Sequence, residues 1–477
     1  MASFFIPGEQ KIRPGVYFRY ENYGAPPLAG ADDGRCAAVL RSNWGPLGQA
    51  VTIENFNDIA AIYGDGGAEG TTAVILEQFR GGARSVTAVR IGSGGTQGSY
   101  QIMSGSPAIP VIQLTMRHPG NRAFALTIRP TLDDPNNRKE LLLTEGTASL
   151  ERFTFASGTG VDQVAALMSA AAASAYFTLT KLADAAAGLT TINQAAITPG
   201  TNPTAYDVAA YSAAFEILEA QRWNVLAIDT NDVGVQAVMQ MYLNRVYRGG
   251  KFVIGVLGED SAVGIETRMQ HASAFNDYQI VYVGTGFIDS AGTRYEGWQA
   301  AARVAGLIAG TPSNESITHT VITGAVDMTE PLTNNMYERA ILAGMLTFST
   351  SSTNAVWVES GINTLNAPTA NDDAGWKKIK RVKVRFELMQ RMNDTVEGLI
   401  GNIDNNENGR MTIVQSGNAV CNAMVTERKL LTGAQCEIDP DNTPTGDSAW
   451  FRVTADDIDA LEKMYFTFRF RFAPEEA

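Results

Sequence analysis

The stretch RWNVLAIDTNDVGVQAVMQMYLNRVYRGGKFVIGVLGED, residues 222–260, reads as strand, helix, strand. Residues 223–228 (WNVLAI) form an apolar run that ends at Asp229, and residues 251–257 (KFVIGVL) form a second. A third, residues 279–283 (QIVYV), comes one helical segment later. Short runs rich in Val and Ile, closed by Gly or Asp, suit strands buried on both faces. Between the first two runs, Val235, Val238, Met239, Tyr242 and Val246 recur at the helical period. Alternating β and α units, continuing to residue 310, predict a parallel sheet with helices packed on both faces. Such an α/β core hosts many chemistries, so function has to be sought elsewhere in the chain.

Working outward, residues 36–40 and 85–91 read as further core strands. A helix capped by Thr71 runs through Phe79 and is stopped by Gly81 and Gly82. Residues 92–98 (GSGGTQG) read as a flexible linker. Residues 99–200 change character: short strands at 111–116, 124–129, 140–144 and 152–155, then an Ala-rich helix, then a strand at 177–182. The core resumes with a helix over 206–221 and continues through residues 320–323, a helix around 334–345 and a strand at 356–359. Residues 380–386 alternate, which predicts a strand with Val382, Val384 and Phe386 on one face and Arg381, Lys383 and Arg385 on the other. A helix with Leu388, Met392, Val396 and Leu399 inward follows. The expected organisation is an arm (1–22), an α/β core in two parts (23–98 and 201–359), an inserted β-rich outer domain (99–200), a C-terminal α+β domain (360–463) and a terminal strand arm (464–477).

The chain of 477 residues carries 50 acidic against 37 basic side chains, a net charge of −13. A nucleic-acid binder presents a basic face, which this balance disfavours. Cys36, Cys421 and Cys436 show no CxxC spacing and read as free thiols of a reducing compartment. Neither a secretory signal nor a membrane span is legible.

Candidate chemistry is sparse. His118, His271 and His319 are the three histidines, none in a catalytic motif, and GxSxG is absent. There is no GxxxxGK[ST] and no complete GxGxxG; Gly249-Gly250-Lys251 precedes a strand rather than the helix N-terminus that would cradle phosphate. In residues 404–415 (DNNENGRMTIVQ), Asp404, Asn406, Asn408 and Gly409 fit the start of a calcium loop. Gln415 replaces the bidentate carboxylate, and MTIV reads as a strand. The expectation is no catalytic residue, no metal and no cofactor, with an α/β enzyme of unknown substrate as the alternative.

The two chain ends carry stronger signals. Residues 464–472 (MYFTFRFRF) alternate throughout, with Phe466, Phe468, Phe470 and Phe472 on one side. An aromatic strand at a free end is an aggregation hazard unless it pairs within its chain or adds to a neighbour's sheet. The N-terminal run containing Val16, Tyr17, Phe18 and Tyr20 poses the same choice. Lys377, Lys378 and Lys380 begin a basic segment suited to an acidic protein partner.

Three segments resemble the tail sheath proteins of contractile-tailed bacteriophages and related contractile bacteriocins: residues 301–312 (AARVAGLIAGTP), 356–365 (VWVESGINTL) and 401–410 (GNIDNNENGR). Residues 14–17 (PGVY) are similar to that family's start. The resemblance implies a non-catalytic, subtilisin-like sheath core and a homo-oligomer of stacked rings around a tail tube. It further implies baseplate and tail-terminator partners, no nucleic-acid ligand, no stable membrane insertion, and a place in the virion tail after assembly in the host cytoplasm. Contraction would drive the tube through the host envelope. By position, the two arms would add strands to neighbours, residues 381–386 would belong to the receiving sheet, and Lys377, Lys378 and Lys380 would touch the tube. Residues 22–34 and 360–376 would be hinges.

Overall fold

The computed structural model describes residues 34–67, 70–369 and 372–471, together with the backbone of two short N-terminal strands, Ser3–Phe4 and Tyr17–Phe18. Those two strands pair in parallel, Ser3 with Tyr17 and Phe4 with Phe18. Val16, Tyr20 and Phe472 lie outside the described residues.

The apolar runs form a seven-stranded sheet in the order Met345–Leu346, Ile280–Val283, Ile254–Gly258, Val225–Ala227, Arg35–Leu40, Ser85–Arg90, Ala50–Ile53. Every neighbouring pair is parallel except the last, where Ala50–Ile53 runs antiparallel to Ser85–Arg90. Side chains alternate across this sheet. Cys36, Ala38, Val225, Ala227, Val281 and Val283 join one buried cluster; Ala37, Val39, Leu226, Ile280 and Tyr282 join the other.

The helices Ala73–Gly81 and Gly297–Gly310 cover the first face, while Val208–Glu219, Val233–Arg248 and Ile265–Phe275 cover the second. Their starts are specified locally. Asp207 and Asp232 accept hydrogen bonds from the backbone N–H groups of Ala210 and Val235, and Glu296 and Gln299 form a capping box. The helices at 73–81 and 297–310 approach so closely that a Cβ on Gly306 would lie 2.0 Å from the carbonyl oxygen of Gln78. Beside this crossing the buried Arg303 donates to Glu77 at 2.8 and 2.5 Å.

Thr71 does not cap the helix. Thr72 stands at the cap position without a side-chain bond. The Thr71 hydroxyl is instead committed to Asp229 and to the Arg41 backbone N–H, 2.8 Å away. Nor are residues 92–98 a free linker: Thr96 and Thr201 exchange backbone hydrogen bonds of 3.2 and 3.1 Å, and Gln97 opens a strand.

Residues 97–196 build two antiparallel sheets, one of four strands and one of three, around a separate apolar cluster. Trp44 enters that cluster, its ring 4.9 Å from Phe124 and edge-on to it. Val321 makes only an isolated bridge to Trp357, so residues 320–323 are not a core strand. Residues 360–369 are not a loose hinge either. Asn363 and Thr364 are fully buried; Asn363 Nδ2 donates to the Trp376 carbonyl at 2.6 Å and Thr364 N to that of Ile280 at 2.9 Å.

The largest departure is residues 380–386. They form a helix, Ile379–Glu397, not a strand. Alternation misleads here because the helix is buried on more than one side. Ile379, Val382 and Phe386 share a face and join the first apolar cluster, while Val384, also fully buried, points elsewhere. With its backbone hydrogen bonds spent within the helix, this segment cannot receive a donated strand. Likewise MTIV lies within the helix Glu407–Thr426, capped by Asn406, whose side chain accepts from Gly409 N at 2.8 Å.

By its internal contacts the chain divides into two compact units, one holding residues 391–456 and the other residues 33–390 with 457–477. In the smaller one, Gln435–Ile438 pairs with Phe451–Thr454 as an antiparallel hairpin. Asn418 from the helix grips the hairpin backbone, donating to the Cys436 carbonyl at 3.0 Å and accepting from Cys436 N at 2.8 Å.

Candidate assembly site

The cations at the start of the helix Ile379–Glu397 are spent within the chain. Lys378, Arg381 and Arg385 fall three and four residues apart and so share one stripe. Arg381 forms a two-point contact with Asp457, its second bond 2.9 Å long, and Arg385 reaches the same carboxylate at 3.1 Å. Arg385 also stands over the Trp376 ring, 4.5 Å from its centre. Lys378 is ion-paired with Glu462, whose carboxylate also accepts from the hydroxyls of Thr318 at 2.7 Å and Ser316 at 3.2 Å. Lys383 donates to the carbonyls of Ile308 (2.6 Å) and Thr311, closing the C-terminus of the helix Gly297–Gly310.

The three lysines expected at the tube are engaged within the chain. Lys380 is buried, Lys378 is paired, and Lys377 donates to the Leu342 carbonyl at 3.2 Å. Burial lowers the pKa of all three lysines. Burial would raise that of Asp457, yet its bond to Arg381 and the charge of Arg385 hold it below the ordinary carboxylate value. Asp457 and Glu462 were not singled out in the sequence. Their signal is two carboxylates five residues apart, just ahead of the aromatic arm.

Beyond this anchored root the chain has no regular pairing among the described residues. Phe466, Phe468 and Phe470 are 75%, 76% and 94% exposed, and their rings stack in file at 6.5 and 6.3 Å. Alternation therefore puts the three rings on one side as expected, but the described residues form no strand with any part of their own chain.

In the smaller unit the hairpin stands as a two-stranded sheet among the described residues. An isolated hairpin is marginal by itself; the free edge of Gln435–Ile438 is taken at Cys436 by Asn418, whereas the outer edge of Phe451–Thr454 has no strand partner among the described residues. Beside it lies an apolar cavity of about 390 Å³ lined by Met392, Val396, Leu399, Ile413, Phe451 and Val453, with Asp404 and Asp447 at its wall.

The histidines are separately engaged. His118 packs edge-on to Trp44 at 5.1 Å, His271 Nδ1 is 2.9 Å from both oxygens of Glu259, and His319 stacks on Trp357 at 4.2 Å. Asp229 and Glu259, both buried near the ends of core strands, are bound to Arg41, Thr71 and Tyr211 and to His271 and Tyr282 respectively. Among the described residues no group of three His, Cys, Asp or Glu side chains is arranged to hold a metal, and no helix is long and apolar enough to cross a membrane.

Residues 204–364, which carry four of the seven core strands, match the family model of the phage tail sheath protein central domain. The chain is 23% identical over 411 residues to the phage-like element PBSX protein XkdK of Bacillus subtilis, covering 83% of this chain and 82% of that relative. Its fold is similar to the sheath tail protein of Desulfitobacterium hafniense, with a TM-score of 0.67, 21% identity, and coverage of 93% of this chain and 100% of the other. It is also similar to the contracted helical sheath of the anti-feeding prophage, with a TM-score of 0.55, 11% identity, and coverage of 97% and 99%.

Proposed function

We propose that this chain, which carries the phage tail sheath central domain over residues 204–364, is a structural subunit of a contractile tail sheath. Copies stack as rings around a tail tube between a baseplate and a terminator, in the tail of a virion or a related injection particle. Contraction of the stack drives the tube through an envelope. The observation that carries the assembly reading is a sheath-type fold joined to an aromatic arm without a strand partner among the described residues of its own chain.

The arm's acceptor is the hairpin Gln435–Ile438 with Phe451–Thr454 of a second copy, in place of residues 381–386. Its open edge supplies backbone hydrogen bonds, each worth roughly 1 kcal/mol net, and the adjacent apolar cavity takes alternate rings. The run with Tyr17 and Phe18, one edge of which pairs with Ser3–Phe4, is a second arm. The α/β enzyme alternative finds no support in the family match, which is to a sheath domain.

Negative-stain microscopy of the full chain beside a chain lacking residues 464–477 tests this. Ringed hollow tubes from the first and dispersed particles from the second are expected. Tubes from both would remove the arm's role, and dispersed particles from both, even with a tail tube added, would overturn the sheath reading.

A further inference from the structure

We infer that the cationic stripe of the helix Ile379–Glu397 is a releasable clamp that sets where the C-terminal arm leaves the core and how far it reaches. The inference rests on the arm being donated to a second copy. The root, residues 457–462, forms no helix or strand beyond a lone β-bridge at Asp457, and its side chains are held at two points, Asp457 by Arg381 and Arg385, and Glu462 by Lys378, Thr318 and Ser316. Apolar burial contributes little between those points: Leu461 is 77% exposed and Ile458 half-buried. The other charges in the cluster are Asp373, 3.2 Å from Arg385, Asp459, which acts on Lys378, Lys380 and Arg381, and Lys463, which opposes Lys378.

A polar grip differs from an apolar one in how it fails. The hydrogen-bonded contact in each ion pair is directional and gone once donor and acceptor part by about 1 Å, and water then screens the attraction that remains, whereas an apolar contact is spread over many atoms. Tension on a docked arm therefore reaches two discrete points first. Losing both frees six residues, which at about 3.3 Å each lengthen the arm by about 20 Å. The core sheet is untouched, because no core strand includes these residues.

Hydrogen exchange on the unassembled full-length chain tests the clamp. In Asp457→Asn/Glu462→Gln, amides of residues 457–463 should exchange at least about tenfold faster, with the strand Ile280–Val283 unchanged as the internal control. Lys378→Met, which alters the helix side instead, should loosen residues 461–463 selectively. Wild-type protection in both variants would overturn the clamp. So would an equal rise in the core strand, which would make the ion pairs general supports of the fold. Since exchange is read on free chains, such a result leaves the sheath reading to be judged separately by microscopy of the truncation.

Discussion

Phe468→Ala should separate assembly from folding. Phe468 is 76% exposed in the free chain, so about three quarters of its burial free energy is still to be gained. Fully burying a Phe side chain is worth roughly 1.5–3 kcal/mol, which leaves about 2 kcal/mol for the joint with a second copy. That corresponds to about a thirtyfold weaker joint for the alanine variant. The free chain loses almost nothing, because the ring is largely exposed and stacks on its neighbours in the file, Phe466 and Phe470. The critical concentration for tube formation, read by light scattering and sedimentation, should rise accordingly, while the melting temperature of the unassembled chain stays within about 1 °C, since shifts of several degrees need about 1 kcal/mol or more. An unchanged critical concentration would refute the arm as a docked strand. A fall of several degrees in melting temperature would refute the premise that the ring is unpartnered within its own chain.

Two further outcomes follow from the buried charges. Arg303→Met should cost about 1–3 kcal/mol in urea unfolding, because it leaves buried Glu77 with the half-exposed Arg80 as its remaining cation, and Glu77→Leu/Arg303→Met should recover most of it; a single variant as stable as the parent would sink this account. Burial, aided by the charges of Arg90 and Arg117, lowers the His118 pKa to about 4. Between its ordinary value near ~6.5 and about 4, the unfolded chain takes up a proton that the folded chain refuses. Stability attached to this group is thus present above about pH 6.5 and lost as pH falls toward 4. Replacing His118 with Gln should flatten the melting-temperature profile over that window, and a profile identical to the parent's would count against it.

The sequence by itself determined the α/β core. Residues 225–227, 254–258 and 280–283 are apolar on both faces because helices cover both faces of the sheet, and that burial writes a continuous run into the chain. It also marked residues 466–470 as an alternating aromatic run, and the structure leaves Phe466, Phe468 and Phe470 exposed on one side. The assignment of residues 380–386 was a matter for tertiary structure. Val382, Val384 and Phe386 satisfy a period of two, but they are buried because different neighbours cover different sides of one helix. Local pattern records that a residue is buried, not by what. The same limit hid the ion pairs of the arm's root. Lys378 and Arg381 were legible as a basic run, but their partners Glu462 and Asp457 lie 84 and 76 residues further along the chain. Charge spacing identifies partners within a helix turn, whereas a pair brought together by the fold exists only once the chain has closed on itself.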